Sequence, residues 1–197
     1  MFFPENVRDV ILTVAEAGIF EVRWSPDVLD ERERNLIKRA QVSPPNAARL
    51  RQTMERAFPD AMTLRSTYAY LVPSMPNQEK DRHVLAAAIA SRSDVLVTAN
   101  IKDFQLPMAD GVIEVLHPDQ FLCDQLDVAC APLLMSIGRS ASQRCHPMNS
   151  VDALLKSLLK TVPNFADRAA RAASGTGSES TGVALVSPTN TTPMVGD

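Results

Sequence analysis

Apolar residues along the chain recur at helical spacing in most places and as short unbroken runs in a few. Val7, Val10, Ile11, Val14 and Ala15 share one side of a helical wheel, and Gly18 is a stop signal for that segment. A short extended piece, Ile19–Trp24, leads into Ser25-Pro26-Asp27: a capping serine, a first-turn proline and a first-turn acid. They predict a helix running to about Ala40. The same punctuation at Ser43-Pro44 opens a charged helix that ends near Phe58-Pro59. These two helices are expected to form a hairpin over one end of the domain.

Ala61–Arg65 reads as a short strand and Tyr68–Val72 as a turn or brief helix. Asn77 or a neighbour is expected to cap DRHVLAAAIASR, an alanine-rich segment small enough to pack closely against a sheet. Val95-Leu96-Val97-Thr98 is an apolar run of the kind that fills a buried parallel strand, and Val112–Leu116 is a second candidate. Strand, helix and strand in this order predict a βαβ layout and an α/β domain. From Pro118 to about Ala172 the pattern is helical, with breaks expected at Asp127, His146-Pro147 and Pro163. Ser174–Asp197 is rich in Ser, Thr, Gly and Pro without periodicity, and disorder is expected there.

Composition narrows the class. The 197 residues suffice for one ordinary domain with appendages, and 45% apolar with 22% charged residues is normal for a globular chain. Formal net charge is −3, which disfavours a protein living on nonspecific duplex DNA but not a nuclease with a local cationic groove. No apolar run approaches the roughly 20 residues of a membrane span, and Arg8 and Asp9 stand where a secretory signal would be apolar. A cytoplasmic protein with no membrane partner is expected. Cys123, Cys130 and Cys145 have no paired C-x-x-C spacing, which argues against a disulfide framework and a zinc knuckle.

Several polar residues are candidates for chemistry. Asp81 shares a wheel face with Val84, Leu85 and Ala88, so a carboxylate opens an otherwise apolar stripe. It either coordinates a cation or merely complements the positive helix end, worth about 0.3–1 kcal/mol. Thr98, Asn100 and Asp103 follow the buried strand, where open parallel sheets bind ligands. Their hydroxyl, amide and carboxylate suit Mg²⁺ or Mn²⁺, or they close the strand as an ordinary polar turn. Lys102 is a candidate for holding a phosphate. Periodicity does not separate Glu31 from Asp30 or Glu33 on a solvated helix face. His83 and His117 lack i+4 partners and are assigned to structure, and Arg8-Asp9 is either a surface pair or a contact near a cleft. No G-x-G-x-x-G or G-x-x-x-x-G-K-[S/T] loop occurs, which leaves a phosphate-loop enzyme unsupported.

Three stretches in order, VRDVILTVAEAGIFEVRWSPDVLDERERNLI, DRHVLAAAIASRSDVLVTANIKDF and GVIEVLHPDQFL, resemble the PIN-domain toxins of VapBC-type toxin–antitoxin modules. The region after Leu122 is similar to the helical C-terminal domain of one subfamily. The resemblance implies a three-layer α/β/α domain around a parallel sheet of about five strands, with C-terminal helices. It divides the chain into a nuclease-like domain over 1–122, a helical domain over 123–173 and a tail over 174–197. It implies a metal-dependent endoribonuclease holding Mg²⁺ or Mn²⁺ through Glu31, Asp81 and Asp103, supported by Thr98 and Asn100, with Lys102 near the phosphate. Single-stranded RNA or a tRNA loop is the implied substrate, a cognate antitoxin the implied partner, and homodimers occur in the family. Two departures stand out. Arg32 follows the helix acid where an apolar residue is usual, and Met1-Phe2-Phe3-Pro4 aligns just after the first family strand and its metal-binding Asp. The chain as it stands is therefore expected to cleave RNA little or not at all, a missed upstream start being favoured over a chain that truly begins at Met1. Restoring an upstream Asp-containing segment is expected to raise Mn²⁺-dependent cleavage. A non-catalytic PIN-like module binding an antitoxin or another copy is the rival reading.

Overall fold

A computed structural model describes residues 3–39, 42–104, 113–143 and 149–175. The expectations for Val112, Cys145, His146-Pro147 and the tail beyond Gly175 lie outside the described residues.

The first three helices form where capping and periodicity place them: α1 (Glu5–Glu16), α2 (Pro26–Lys38) and α3 (Pro44–Ala57). The Ser25 hydroxyl accepts from the Val28 amide at 3.3 Å and Pro26 begins α2, so capping chemistry sets where the helix starts. Helices α2 and α3 pack together as the expected hairpin. Arg51 of α3 joins Asp30 and Glu33 of α2 to Glu55 of its own helix. The Tyr68–Val72 stretch divides between α4 (Arg65–Tyr68) and a 3₁₀ turn, Val72–Ser74.

The alanine-rich helix α5 (Arg82–Ala90) starts later than an Asn77 cap would put it. A 3₁₀ turn, Glu79–Asp81, intervenes, and Asp81 itself is the N-cap residue. Asn77 is buried, and its carbonyl accepts from Arg82 Nε at 3.2 Å.

Strands β1 (Val95–Val97) and β2 (Glu114–Leu116) pair in parallel, with Leu96 opposite Val115. Side-chain alternation puts the sheet between two helical layers. Leu96 and Val115 pack on Val84, Leu85 and Ala88 of α5, while Val95, Val97 and Leu116 pack on the cluster of α1 and the C-terminal helices. This is the expected α/β/α layering. Instead of about five strands, the described residues hold this pair and one parallel bridge, Trp24 to Met62. Of the expected strand Ala61–Arg65 only this bridge forms, since Ala61 ends a 3₁₀ turn and Arg65 begins α4: Trp24 N donates to the Ala61 carbonyl at 2.9 Å, and Thr63 N donates to the Trp24 carbonyl at 2.8 Å.

A cavity of about 640 Å³ lies between the two parallel pairs, bordered by Phe20–Ser25 on one side and Ser93–Val97 on the other. Arg8 and Arg32 both line the cavity, and burial together with the Arg8 charge holds the Arg32 guanidinium down to about 10. Arg32 Nη1 contacts the Met54 sulfur at 3.2 Å, whereas Arg32 Nη2 and Trp24 Nε1 are buried without a hydrogen-bond partner.

The C-terminal region folds as α6 (Pro118–Val128), α7 (Cys130–Ser142), α8 (Val151–Leu158) and α9 (Pro163–Gly175). The break expected at Asp127 falls at Ala129, and Asp127 instead pairs with Arg168 of α9. Helix α6 runs through residue 122, and the C-terminal helices share one core with Val7, Val10, Ile11 and Val14 of α1. Among the described residues, no single helix is long and apolar enough to cross a membrane. Cys123 and Cys130 are free thiols.

Candidate functional site

Parallel segments end at one rim, and polar residues collect there because chain reversal after each strand exposes backbone groups that an apolar helix face cannot satisfy. The Trp24 bridge passes into α2, which carries Glu31; β1 passes into Thr98 and a 3₁₀ turn, Ile101–Phe104, which carries Asp103. The 3₁₀ turn ahead of α5 brings Asp81 to the same rim.

A cavity of about 620 Å³ opens here, lined by Glu31, Arg34, Asn35, Arg39, Lys80, Asp81, His83 and Asn100. Charge pairing singles Glu31 out where periodicity did not. Asp30 and Glu33 turn toward Arg51, whereas Glu31 faces inward, with Oε2 3.8 Å from His83 Nε2. Asp81 Oδ2 and His83 Nε2 are both buried and make no hydrogen bond.

Asp103 joins this group through its neighbours. Lys80 Nζ stands 3.0 Å from Asp103 Oδ2 and 3.5 Å from Asp81 Oδ2, so one ammonium serves both carboxylates. Asn100 Nδ2 also donates to Asp103 Oδ2, and Gln78 Nε2 donates to its Oδ1 at 3.4 Å. The hydrogen bond from Lys80, reinforced by Asn100, holds the Asp103 carboxyl below the usual carboxylate range. The hydrogen bond to Asp103, with the Asp81 charge behind it, raises the Lys80 ammonium. Thr98 is fully buried and shapes the loop: its hydroxyl accepts from the Asn100 amide at 3.0 Å, and its own amide donates to the Leu116 carbonyl.

The donor set has the chemistry of a site for a hard divalent cation: carboxylate oxygens, an amide and an imidazole, with buried atoms that lack hydrogen bonds. It is not drawn tight, since among the described residues no three acidic, histidine or cysteine groups are gathered closely enough to hold an ion. The donor types suit a divalent cation; their spacing is not that of a bound ion.

Lys102 lies on the turn beside Asp103 but outside the cavity lining; the cations there are Lys80, Arg34 and Arg39. Arg8 pairs with Asp9 and Glu5 and borders the other, apolar cavity. His117 is structural, its Nδ1 capping α6 by accepting from Asp119 N at 3.2 Å. Sequence reasoning assigned His83 to structure and did not single out Lys80, and both line this cavity. Their one available signal was position, each within two residues of Asp81 on a turn that opens a buried helix.

Comparison with known proteins adds family membership to this geometry. The model described as PIN domain matches residues 2–102, and the model described as VapC50 C-terminal domain matches residues 118–171. A protein of Mycobacterium tuberculosis (strain ATCC 25618 / H37Rv) carrying the name "Putative ribonuclease VapC50" is 37% identical over 122 residues, covering 60% of this chain and 72% of that protein. No solved structure matches.

Proposed function

Because the chain belongs to the PIN-domain family and carries the VapC50 type of C-terminal domain, we propose that it is the endoribonuclease toxin of a toxin–antitoxin module, dependent on Mg²⁺ or Mn²⁺. One observation carries the reading: Glu31 and Asp81 converge on a single cavity at the carboxyl ends of parallel segments, with Asp103 tied to them through Lys80. The proposed division is a PIN unit over 1–122, a helical unit over 123–173 and a tail over 174–197.

In this reading Glu31, Asp81 and Asp103 hold the cation, and His83 orients Glu31 from the helix behind it. A bound divalent cation supplies Lewis acidity and makes a nucleophile from water near neutral pH. Asn100 fixes the Asp103 carboxylate, and Thr98 fixes Asn100. Arg34 and Arg39 on the cavity wall grip the phosphate of a single-stranded RNA or tRNA loop, whose splayed backbone can enter such an opening. Lys102 flanks the path of the RNA from the neighbouring turn. A cognate antitoxin in the cytoplasm covers the cavity, and the toxin acts as a homodimer.

A second reading has its own support. With an ammonium between Asp81 and Asp103 and no three ligands drawn together among the described residues, the fold also suits a non-catalytic module that binds an antitoxin or another copy. Cleavage of a single-stranded RNA in Mn²⁺, in Mg²⁺ and in EDTA, by the chain with an upstream Asp-containing segment restored and by the Asp81→Asn variant of that extended chain, separates the two. The nuclease reading expects cation-dependent cleavage that falls by about 100-fold or more in a folded Asp81→Asn protein. Antitoxin binding with no cleavage in either cation favours the module.

A further inference from the structure

Both oxygens that Lys80 touches are Oδ2 atoms, one on Asp81 and one on Asp103. The ammonium therefore occupies the gap between two carboxylates rather than capping one of them. At 3.0 and 3.5 Å these oxygens stand at ammonium distance, well beyond the roughly 2.0–2.2 Å at which Mg²⁺ or Mn²⁺ would draw them in. Asn100 donates to the same Asp103 Oδ2 and Gln78 to the opposite Oδ1, so Asp103 keeps two amide donors when the lysine leaves. Lys80 has none of that restraint. Its side chain is 64% exposed and sits on a single 3₁₀ turn, and among the described residues no further ion pair ties it down. It is the exposed partner in both ion pairs.

We propose that Lys80 is a tethered counter-ion of the cation-free site: its ammonium neutralises Asp81 and Asp103, and a divalent cation enters by displacing it. The same residue accounts for two features at once. It offsets the charges of Asp81 and Asp103 without a metal, and while it bridges them it stands where an ion bound to both would sit. Lys80 thus sets the threshold for cation binding, because each ion must compete with a charge the protein carries permanently. This inference rests on the cation-dependent reading above.

The test is Mn²⁺ binding to the full chain, followed by electron paramagnetic resonance of free Mn²⁺, for wild type, Lys80→Gln and Asp81→Asn. Two ion pairs, exposed at their shared lysine end, compete with the metal, so Lys80→Gln should bind about three- to tenfold more tightly than wild type. In the same samples, acylation of Lys80 by an amine-reactive reagent, read by mass spectrometry, should speed up when Mn²⁺ is added to wild type. Equal or weaker Mn²⁺ affinity in Lys80→Gln, or Lys80 labelling indifferent to Mn²⁺, overturns the counter-ion role while leaving the cation site standing. Absence of Mn²⁺ binding in both wild type and Lys80→Gln overturns the cation site and this inference together.

Discussion

Asp119 of α6 caps the first turn of α9: its Oδ1 accepts from the Phe165 amide at 2.8 Å, and its Oδ2 accepts from the Asn164 amide at 3.3 Å and side chain at 2.8 Å. Pro163 opens α9, so these are amides the helix cannot bond internally, and the cap comes from 45 residues away in sequence. The carboxylate is buried, and Phe165 beside it is fully buried in the core shared with α1. Asp119→Ala leaves those donors unsatisfied and should cost about 2–3 kcal/mol, measured as a fall in the urea midpoint with unchanged slope. Asp119→Asn keeps acceptors in place and should cost less. A loss under about 0.5 kcal/mol in the alanine variant contradicts the capping role.

Tyr68 is fully buried, and its hydroxyl donates to Asp27 Oδ2 at 2.5 Å, joining α4 to the first turn of α2. Burial raises the phenol, and the neighbouring carboxylate adds to it. Because the folded phenol keeps its proton more tightly than the unfolded one, this contribution is complete below about pH 10 and is lost as pH rises through the folded value. Tyr68→Phe should cost about 1 kcal/mol near neutrality and weaken the alkaline decline in stability. Thermal unfolding of both proteins from pH 8 to 11 checks it; parallel profiles would count against the linkage.

Arg32 is a charge in the wrong company, half-buried beside Arg8 on an apolar cavity wall. A flexible apolar side chain of similar length removes the desolvation cost and keeps contact with Met54. Arg32→Met should therefore raise stability by about 1 kcal/mol, read from the urea midpoint. Destabilisation by a similar amount means that something in solution supplies the acceptor that Arg32 Nη2 lacks.

Binding of a cation only to the folded chain stabilises it by mass action, about 2.7 kcal/mol at a hundred times the dissociation constant. Mn²⁺ should raise the melting temperature of the wild type by several degrees. Asp81→Asn and Glu31→Gln, which remove cavity-facing charge, should abolish most of that rise. An undiminished rise in both variants places the ion elsewhere.

Much of the fold was legible because local chemistry and tertiary packing agree. Ser25-Pro26 starts α2, Gly18 stands at the end of α1 with φ 76°, and Val95–Val97 forms a strand with Leu96 buried between two half-buried valines. Where they disagree, the sequence misleads. Asn77 has the side chain of a cap but is buried, and an inserted 3₁₀ turn hands the capping position to Asp81. Glu31 could not be told from Asp30 and Glu33, since the choice depends on Arg51 of another helix drawing those two away. The pairing of Trp24 with Met62 spans 38 positions and left only two weak extended segments as its trace. Lys80 and His83 were invisible as site residues for the same reason: what they face is decided by the fold of α2 and the turn after β1.

The central claim is that Glu31, Asp81 and Asp103 share one divalent cation. Crystals of the chain grown with Mn²⁺ and measured at its absorption edge test it directly. An anomalous peak within about 2.0–2.5 Å of carboxylate oxygens from at least two of the three, with Lys80 turned away, is the predicted result. A peak at some other group of residues, or no peak at this rim in millimolar Mn²⁺, contradicts the account.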